Sequence, residues 1–385
     1  MRYDNARLAD FSLDAGAKKR GSLDGTFFIL VMLLLTIGVV MVLSSSFARA
    51  YYDPGRITGG NAAYYFIRQL LFALIGTALM ILCSRLPMGF YRRYAWHFMA
   101  MTLILLALVP IVGVKANGSR RWLGVGGLTL QPSELAKIGV ILCFSSLICR
   151  MRGRMESFRY GILPFAAILG LVVGLLILEP HFSASIIIVA VGGVMMFLGG
   201  VRLGWFAGAG GIAAAGIGIL LTLFPYASGR INTWRDPFSS SSDEGYQIVQ
   251  SLYTIGSGGL SGLGLGMSRQ KYLYLPEEHN DFIFSVVCEE LGFIGAALIL
   301  ILFAMLILRG YWIALHCRDR FNFLVVAGVT TLLAIQVFLN VAVVTNLVPC
   351  TGISLPFFSY GGTALLIQLG EMGIILSASR DIIEK

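Results

Sequence analysis

Pro276-Glu277-Glu278-His279-Asn280-Asp281, followed at once by the apolar run from Phe282 to Leu308, is the stretch that decides the fold. A helix needs about 20 apolar residues to cross the hydrocarbon of a bilayer, and this run is longer than that. The acids therefore sit at the mouth of a membrane helix. A carboxylate there has water on one side and hydrocarbon on the other, so partial desolvation raises its pKa toward that of a working base. Glu289 and Glu290 lie deeper in the same run. One intramembrane acid can be an accident of packing, whereas three so close together suggest a site.

The rest of the chain fits the same reading. Of its 385 residues, 57% are hydrophobic and 13% are charged, with a mean hydropathy of +0.81. That is an all-α polytopic membrane protein rather than a soluble domain. The apolar runs are continuous and do not alternate, which excludes a barrel. The same ruler gives about ten spans, near 24–46, 62–84, 94–114, 133–150, 160–178, 183–200, 203–226, 282–308, 322–348 and 357–379. The organisation expected is a cytoplasmic tail over 1–22, one membrane domain over 23–380 and a cytoplasmic C-terminus over 381–385. One large loop, 227–281, joins spans seven and eight.

The charge is +9, and its placement sets the orientation. The tail (Arg2, Arg7, Lys18, Lys19, Arg20), the even-numbered loops and the C-terminus together carry twice the lysines and arginines of the odd-numbered loops. The positive-inside rule then puts both termini in the cytoplasm and loop 227–281 outside it. Basic balance here reflects topology, so nucleic acid is not an expected partner. Ala48-Arg49-Ala50 mimics a signal-peptidase site, but the preceding run suits an uncleaved anchor better. The six cysteines have no metal-ligand spacing and read as packing. No repeat of the solenoid or inverted-transporter kind is apparent.

Three polar clusters stand out against this background. Asn117 to Trp122 and Gln131-Pro132-Ser133-Glu134-Leu135-Ala136-Lys137 precede span four. Ser133 is placed to cap that helix, and Glu134 and Lys137, at i and i+3, can pair on one face. Such a pair is either a structural neutralisation or part of a charged site, where Lys137 with Arg120 or Arg121 offers positive charge to an anionic headgroup beside Trp122. Loop 227–281 carries Arg230, Arg235, Gly245-Tyr246-Gln247 and the glycine-rich stretch Gly256–Gly266. That stretch lacks Gly-Lys-Ser/Thr, so it reads as a flexible or re-entrant cover and not a nucleotide loop. The third cluster, Pro349 to Thr363, has too many prolines and glycines to be helical, and its Ser359 and Tyr360 must satisfy polar groups near the interface.

Together these clusters resemble the SEDS family (shape, elongation, division and sporulation), membrane glycan polymerases of the bacterial cell wall. The resemblance rests on Arg121-Trp122 with Gln131 to Lys137; on Gly245-Tyr246-Gln247 with Gln250-Ser251; on Leu275-Pro276-Glu277 with His279 to Phe284 and Glu289-Glu290-Leu291-Gly292; and on Leu355 to Gly362. Val40 to Ser46 and Thr351 to Phe357 are more similar to the division and sporulation branch, FtsW and SpoVE, than to the elongation member RodA. The chain departs from the family where an acid and then Leu-Gly-Thr are common. It has His181-Phe182-Ser183-Ala184 there, and no role is carried onto those residues.

The resemblance implies an inverting peptidoglycan glycosyltransferase that polymerises lipid II at the outer face of the cytoplasmic membrane. The growing glycan on undecaprenyl pyrophosphate is the donor. The implied partners are a class B penicillin-binding protein, other divisome proteins and membrane lipids. The family's essential acid matches Asp281, and a sugar hydroxyl does need a base within hydrogen-bond reach. By sequence alone, Asp281 is equally suited to cap the helix that follows. The leaving pyrophosphate needs neutralising, for which Lys137, Arg120, Arg121, Arg230 and Arg235 are candidates. A divalent cation, Mg or Mn, is a further candidate, with no metal-ligand set of its own in the sequence. Gln247, Ser359 and Tyr360 are expected to line the substrate groove. His279 either orients the acid or is an exposed loop histidine. Glu289 and Glu290 lie on different faces, so they are not expected to share one cavity. One or both are expected to pair with a neighbouring helix through Lys137 or Arg68. A flippase or a scaffold remains the rival reading: the first needs a polar path across the membrane, the second a dispensable Asp281.

Overall fold

A computed structural model describes residues 21–52, 58–116, 119–125, 128–179, 181–208, 210–211, 232–239 and 243–382. In chain order the elements are α1 (Gly25–Tyr52), α2 (Tyr64–Arg85), α3 (Met88–Val112), β1 (Val114–Ala116), β2 (Ser119–Val125), β3 (Leu128–Leu130) and α4 (Pro132–Arg150). Then follow α5 (Leu163–Leu178), α6 (Phe182–Gly199), α7 (Asp243–Ser257), α8 (Ile283–His316), α9 (Arg320–Val344) and α10 (Gly362–Ser379). Among the described residues, nine helices are long and apolar enough to cross a membrane. The seventh expected span, 203–226, falls mostly outside the described residues, as do the tail 1–20 and Arg230.

Helices α4, α9 and α10 form the centre of the bundle, with most of their membrane-length windows buried. Helices α2, α3, α5 and α8 bury far less and turn apolar side chains outward, as spans facing lipid do. Helix α10 packs closely on α2 because Gly373 lets the backbones approach: a Cβ there would lie 2.5 Å from the Met80 carbonyl oxygen. At one end of the bundle Arg309 pairs with Asp24 at 2.7 Å. The Asp24 carboxylate also accepts from the amide of Phe27, capping α1. Within α1, Ala48 and Ala50 are fully buried and Arg49 is paired with Glu278 at 2.9 Å.

Several features differ from the sequence expectation. The connection between α3 and α4 is a small antiparallel sheet in the order β1-β2-β3. Helix α4 starts at Pro132 with Gln131 as its N-cap, so Ser133 lies inside the first turn, buried, and caps nothing. Of the two readings of the covering loop, flexible or re-entrant, its described residues fit the re-entrant one. It contains the amphipathic helix α7, whose buried Ser251 bonds Ser285 and the Val344 carbonyl, both at 2.7 Å.

The largest difference concerns α8, which is not one continuous helix. Gly292 has φ +67°, ψ −172°, which breaks it within the apolar run. Backbone groups freed by a break in the membrane must find partners, and here the glycine-rich segment re-enters to supply them. The amides of Leu263 and Gly264 donate to the carbonyls of Glu289 and Glu290, and those of Phe293 and Ile294 to the carbonyls of Gly259 and Leu260. The side chains of Glu289 and Glu290 grip the same segment. Glu290 pairs with Lys271 at 3.0 Å and accepts from Ser44, and Glu289 accepts from Ser257 and Ser268. Neither meets Lys137 or Arg68. The expected ion pairing holds for Glu290, but its partner is Lys271 from the loop, which wraps around the broken helix. Replacing Gly292 with alanine puts a Cβ 2.2 Å from the Gly262 amide nitrogen at a left-handed φ. The Gly292→Ala protein is expected to give little monodisperse material in size-exclusion chromatography, whereas Gly193→Ala in α6, where an added Cβ meets nothing within 4 Å, serves as the control.

Candidate active site

At the end of the bundle where β2, α4, the hairpin between α5 and α6, and residues 351–363 meet, a polar cavity of about 320 Å³ opens. Arg121, Glu134, Lys137, His181, Asp281, Ser359 and Tyr360 are among its walls. Its scaffold is largely backbone held by buried amides and hydroxyls. Asn340, on α9, donates to the carbonyls of Asp281 at 2.8 Å and Ile353 at 2.7 Å, tying two walls together. The Ser359 hydroxyl donates to the Asn280 carbonyl at 2.8 Å and accepts from the amide of Leu355 at 2.7 Å. The Tyr360 amide donates to the His279 carbonyl at 2.9 Å. Glu277 and Phe357 hold positive φ of 56° and 64°, so this wall carries some non-glycine backbone strain.

Asp281 is partly buried and does not cap the next helix: Phe282 occupies the N-cap position of α8, and no side chain caps it. Its carboxylate instead turns toward residues 351–353, where a Cβ on Gly352 would lie 3.2 Å from Oδ2. Burial pushes its pKa up to about 6, with Glu277 adding to the rise and Arg121 opposing it. Glu278 behaves oppositely. Burial disfavours its charge, but His279 and Arg49 outweigh burial and hold it below the usual carboxylate range. Adjacent acids are thus driven apart, which is the arrangement that separates a titrating group from a structural one.

Lys137 is buried and pairs with Glu134 at 2.6 Å, as their spacing predicts, and both line the cavity. Arg121 and Trp122 also line it. Arg120 does not: its guanidinium is exposed and donates to the Pro110 carbonyl at 3.2 Å. Arg235 is likewise exposed and outside the cavity. Gln247 reaches the Pro276 carbonyl at 3.4 Å, so it braces the approach to Asp281 and does not line the groove. His279 is not an exposed loop residue. It is 4% exposed, with ring centroids 4.8 Å from Tyr65 and 5.8 Å from Tyr360, and its Nδ1 lies 3.7 Å from Glu278.

Sequence reasoning missed His181, Gln336 and Gln368 as cavity walls, while Gln131 lay in a polar cluster it singled out but was given no role. Glu371 also reaches the cavity from α10. For Gln336 and Gln368 no local signal existed. For His181 the signal was its departure from the family pattern. Among the described residues, no three His, Cys, Asp or Glu side chains converge as a metal cage.

This geometry meets its counterparts in known proteins. The family model described as cell cycle protein, covering FtsW, RodA and SpoVE, matches residues 25–383. Stage V sporulation protein E of Bacillus subtilis (strain 168) is 40% identical over 94% of this chain and 98% of its own length. The probable peptidoglycan glycosyltransferase FtsW of Trichlorobacter lovleyi is 38% identical over 92% of this chain and 93% of its own. Among solved structures, a chain from a peptidoglycan synthase complex that coordinates polymerization and crosslinking superposes with a TM-score of 0.77 at 30% identity, covering 94% of this chain and 98% of that one. The rod shape determining protein RodA of Thermus thermophilus superposes with a TM-score of 0.67 at 30% identity, covering 94% and 99%.

Proposed function

Because the chain belongs to the FtsW, RodA and SpoVE family of cell cycle proteins, we propose that it is a peptidoglycan glycosyltransferase of the division or sporulation type, polymerising lipid II into β-1,4 glycan. It is an integral membrane protein. In this reading both termini lie in the cytoplasm, residues 23–380 form the membrane domain, and the cavity opens at the outer face of the cytoplasmic membrane.

The observation that carries the reading is one polar cavity holding a partly buried carboxyl, Asp281, within electrostatic reach of Arg121. The 4-hydroxyl of the incoming lipid II is a weak nucleophile. Asp281 accepts its proton as the oxygen attacks C1 of the terminal MurNAc on the growing chain. The bond from C1 to the phosphate oxygen breaks, and undecaprenyl pyrophosphate leaves with the electron pair. A single displacement inverts the anomeric centre and needs one base, with no covalent sugar intermediate. Arg121 and Lys137 offset the charge developing on the leaving group. A divalent cation, if used, would sit against the substrate's phosphates, and adding Mg back to chelator-treated enzyme tests that. A class B penicillin-binding protein is the proposed partner, in keeping with the synthase complex among the structural relatives. Other divisome proteins are proposed to join it.

The test is polymerisation of lipid II by the purified chain together with its penicillin-binding protein, read as glycan ladders on a gel. Ladders support the reading, and their absence from folded, partner-bound protein overturns it. Arg121→Met is expected to raise the lipid II concentration needed for half-maximal rate by about tenfold to a hundredfold, since a charge-assisted phosphate contact is lost. An unchanged concentration dependence would remove Arg121 from the binding site.

A further inference from the structure

The hairpin between α5 and α6 carries two buried polar groups that the proposed chemistry does not use. Glu179 is 1% exposed, and neither carboxyl oxygen finds a hydrogen-bond partner among the described residues. His181 is 8% exposed, lines the cavity, and its Nδ1 is likewise without a partner among the described residues. His181 is also the N-cap residue of α6, an 18-residue helix whose first turn no side chain caps. Ser183, in that turn, sends its hydroxyl to the Thr351 carbonyl. Gly352, the next residue, is the one whose Cβ would meet Asp281. The start of α6 and Asp281 therefore flank the same short segment.

Arg121 and the Glu134-paired Lys137 bring positive charge to this wall, which Glu277 and Asp281 also line. Arg121 lies within electrostatic reach of Glu179, His181 and Asp281 alike, and Lys137 within reach of His181. Burial pushes Glu179 up to about 8, so at neutral pH it is mostly protonated and does not cancel Arg121. Burial, with Arg121 and Lys137, pushes His181 down to about 3, so it is a neutral imidazole, able to donate one N–H. A helix start adds its own partial positive charge and amides aimed outward. An unpartnered donor, an uncapped helix start and an arginine converging on one wall fit a multiply charged anion and suit a neutral sugar poorly.

We propose that His181 and the first turn of α6 bind the diphosphate of a polyprenyl-linked substrate, across the Thr351–Gly352 segment from Asp281. This rests on the glycosyltransferase reading and extends it: the diphosphate is held between Arg121 and α6, with the reacting sugar directed at Asp281.

The test uses the purified full chain in micelles and two probes, farnesyl diphosphate and farnesyl monophosphate. Wild type is expected to prefer the diphosphate. In His181→Gln the diphosphate-to-monophosphate affinity ratio is expected to fall about tenfold, as for loss of one hydrogen bond to a charged group. In His181→Asp it falls further, because a negative charge faces the ligand. Arg235→Gln, at an exposed position outside the cavity, keeps the wild-type ratio. An unchanged ratio in both His181 variants overturns the proposal. So does equal weakening of both probes, which marks a structural role, or failure of the wild type to bind the diphosphate. Glycan ladders assayed in parallel separate the two readings. Wild-type ladders with an unchanged ratio remove only the diphosphate assignment, whereas absence of ladders from the wild type removes the polymerase reading itself.

Discussion

Asp281→Asn is expected to lower lipid II polymerisation by about 10²–10⁴-fold, the usual share of a positioned general base. The backbone of the Asp281 turn is held by Asn340 and, through Asn280, by Ser359. An amide of the same shape therefore leaves the turn intact while removing the proton acceptor. The pH profile gives a second, independent check. The acid must be ionised to act, and its pKa is raised to about 6. Activity is expected to be level above that value and to fall about tenfold per pH unit well below it. Initial rates of ladder formation between pH 5 and 8 measure this. Full activity in Asp281→Asn, or a rate that rises as the pH drops through 6, would overturn Asp281 as the base. It would also return the flippase and scaffold readings to the front.

The second large effect is structural. Lys271 and Glu290 form an ion pair, 2% and 0% exposed, that holds the re-entrant segment against the broken helix. Lys271 also donates to the Gly266 carbonyl at 2.6 Å. Removing one partner strands the other as an uncompensated buried charge, at a cost of about 3–5 kcal/mol. Lys271→Met and Glu290→Met are each expected to speed hydrogen exchange across residues 258–271 by about a hundredfold or more, with a lower thermal midpoint. The double variant is expected to be more stable than the sum of the two losses, by about 1–3 kcal/mol, because no lone charge remains. It does not regain full stability, because the amides of Gly266 and Ser268 still lose Glu290 as acceptor. Strict additivity in this cycle would show that the pair is not coupled. Activity should fall alongside, since the segment leads directly into the turn that carries Asp281.

The membrane class and the helical spans could be read from the sequence because each depends on local quantities. A run of apolar residues either matches the hydrocarbon thickness or does not, wherever its neighbours lie. The Glu134–Lys137 pair was legible for the same reason: three residues along one helix fix the distance. The polar clusters around Asp281, Lys137 and Ser359 were legible as polarity out of place in apolar surroundings. Non-local partners were not legible. Lys137 or Arg68 was the expected counter-charge for Glu289 and Glu290, and Lys271 took that place for Glu290 because Gly292 opens the helix and the loop re-enters. His279 was expected on a loop surface, yet the fold lays it against Tyr65 and Tyr360.

The sequence by itself thus determined an all-α membrane protein, its family and the acid at its centre, because hydropathy, charge and motif order are properties of the chain read in line. Tertiary structure alone decided which basic residues reach that acid. Arg121 lines the cavity and Arg120 does not, because the Arg120 guanidinium turns back to the Pro110 carbonyl. His181 joins the cavity from a hundred residues upstream. That meeting is set by how α4, α6 and α9 pack, and no window of the sequence contains it.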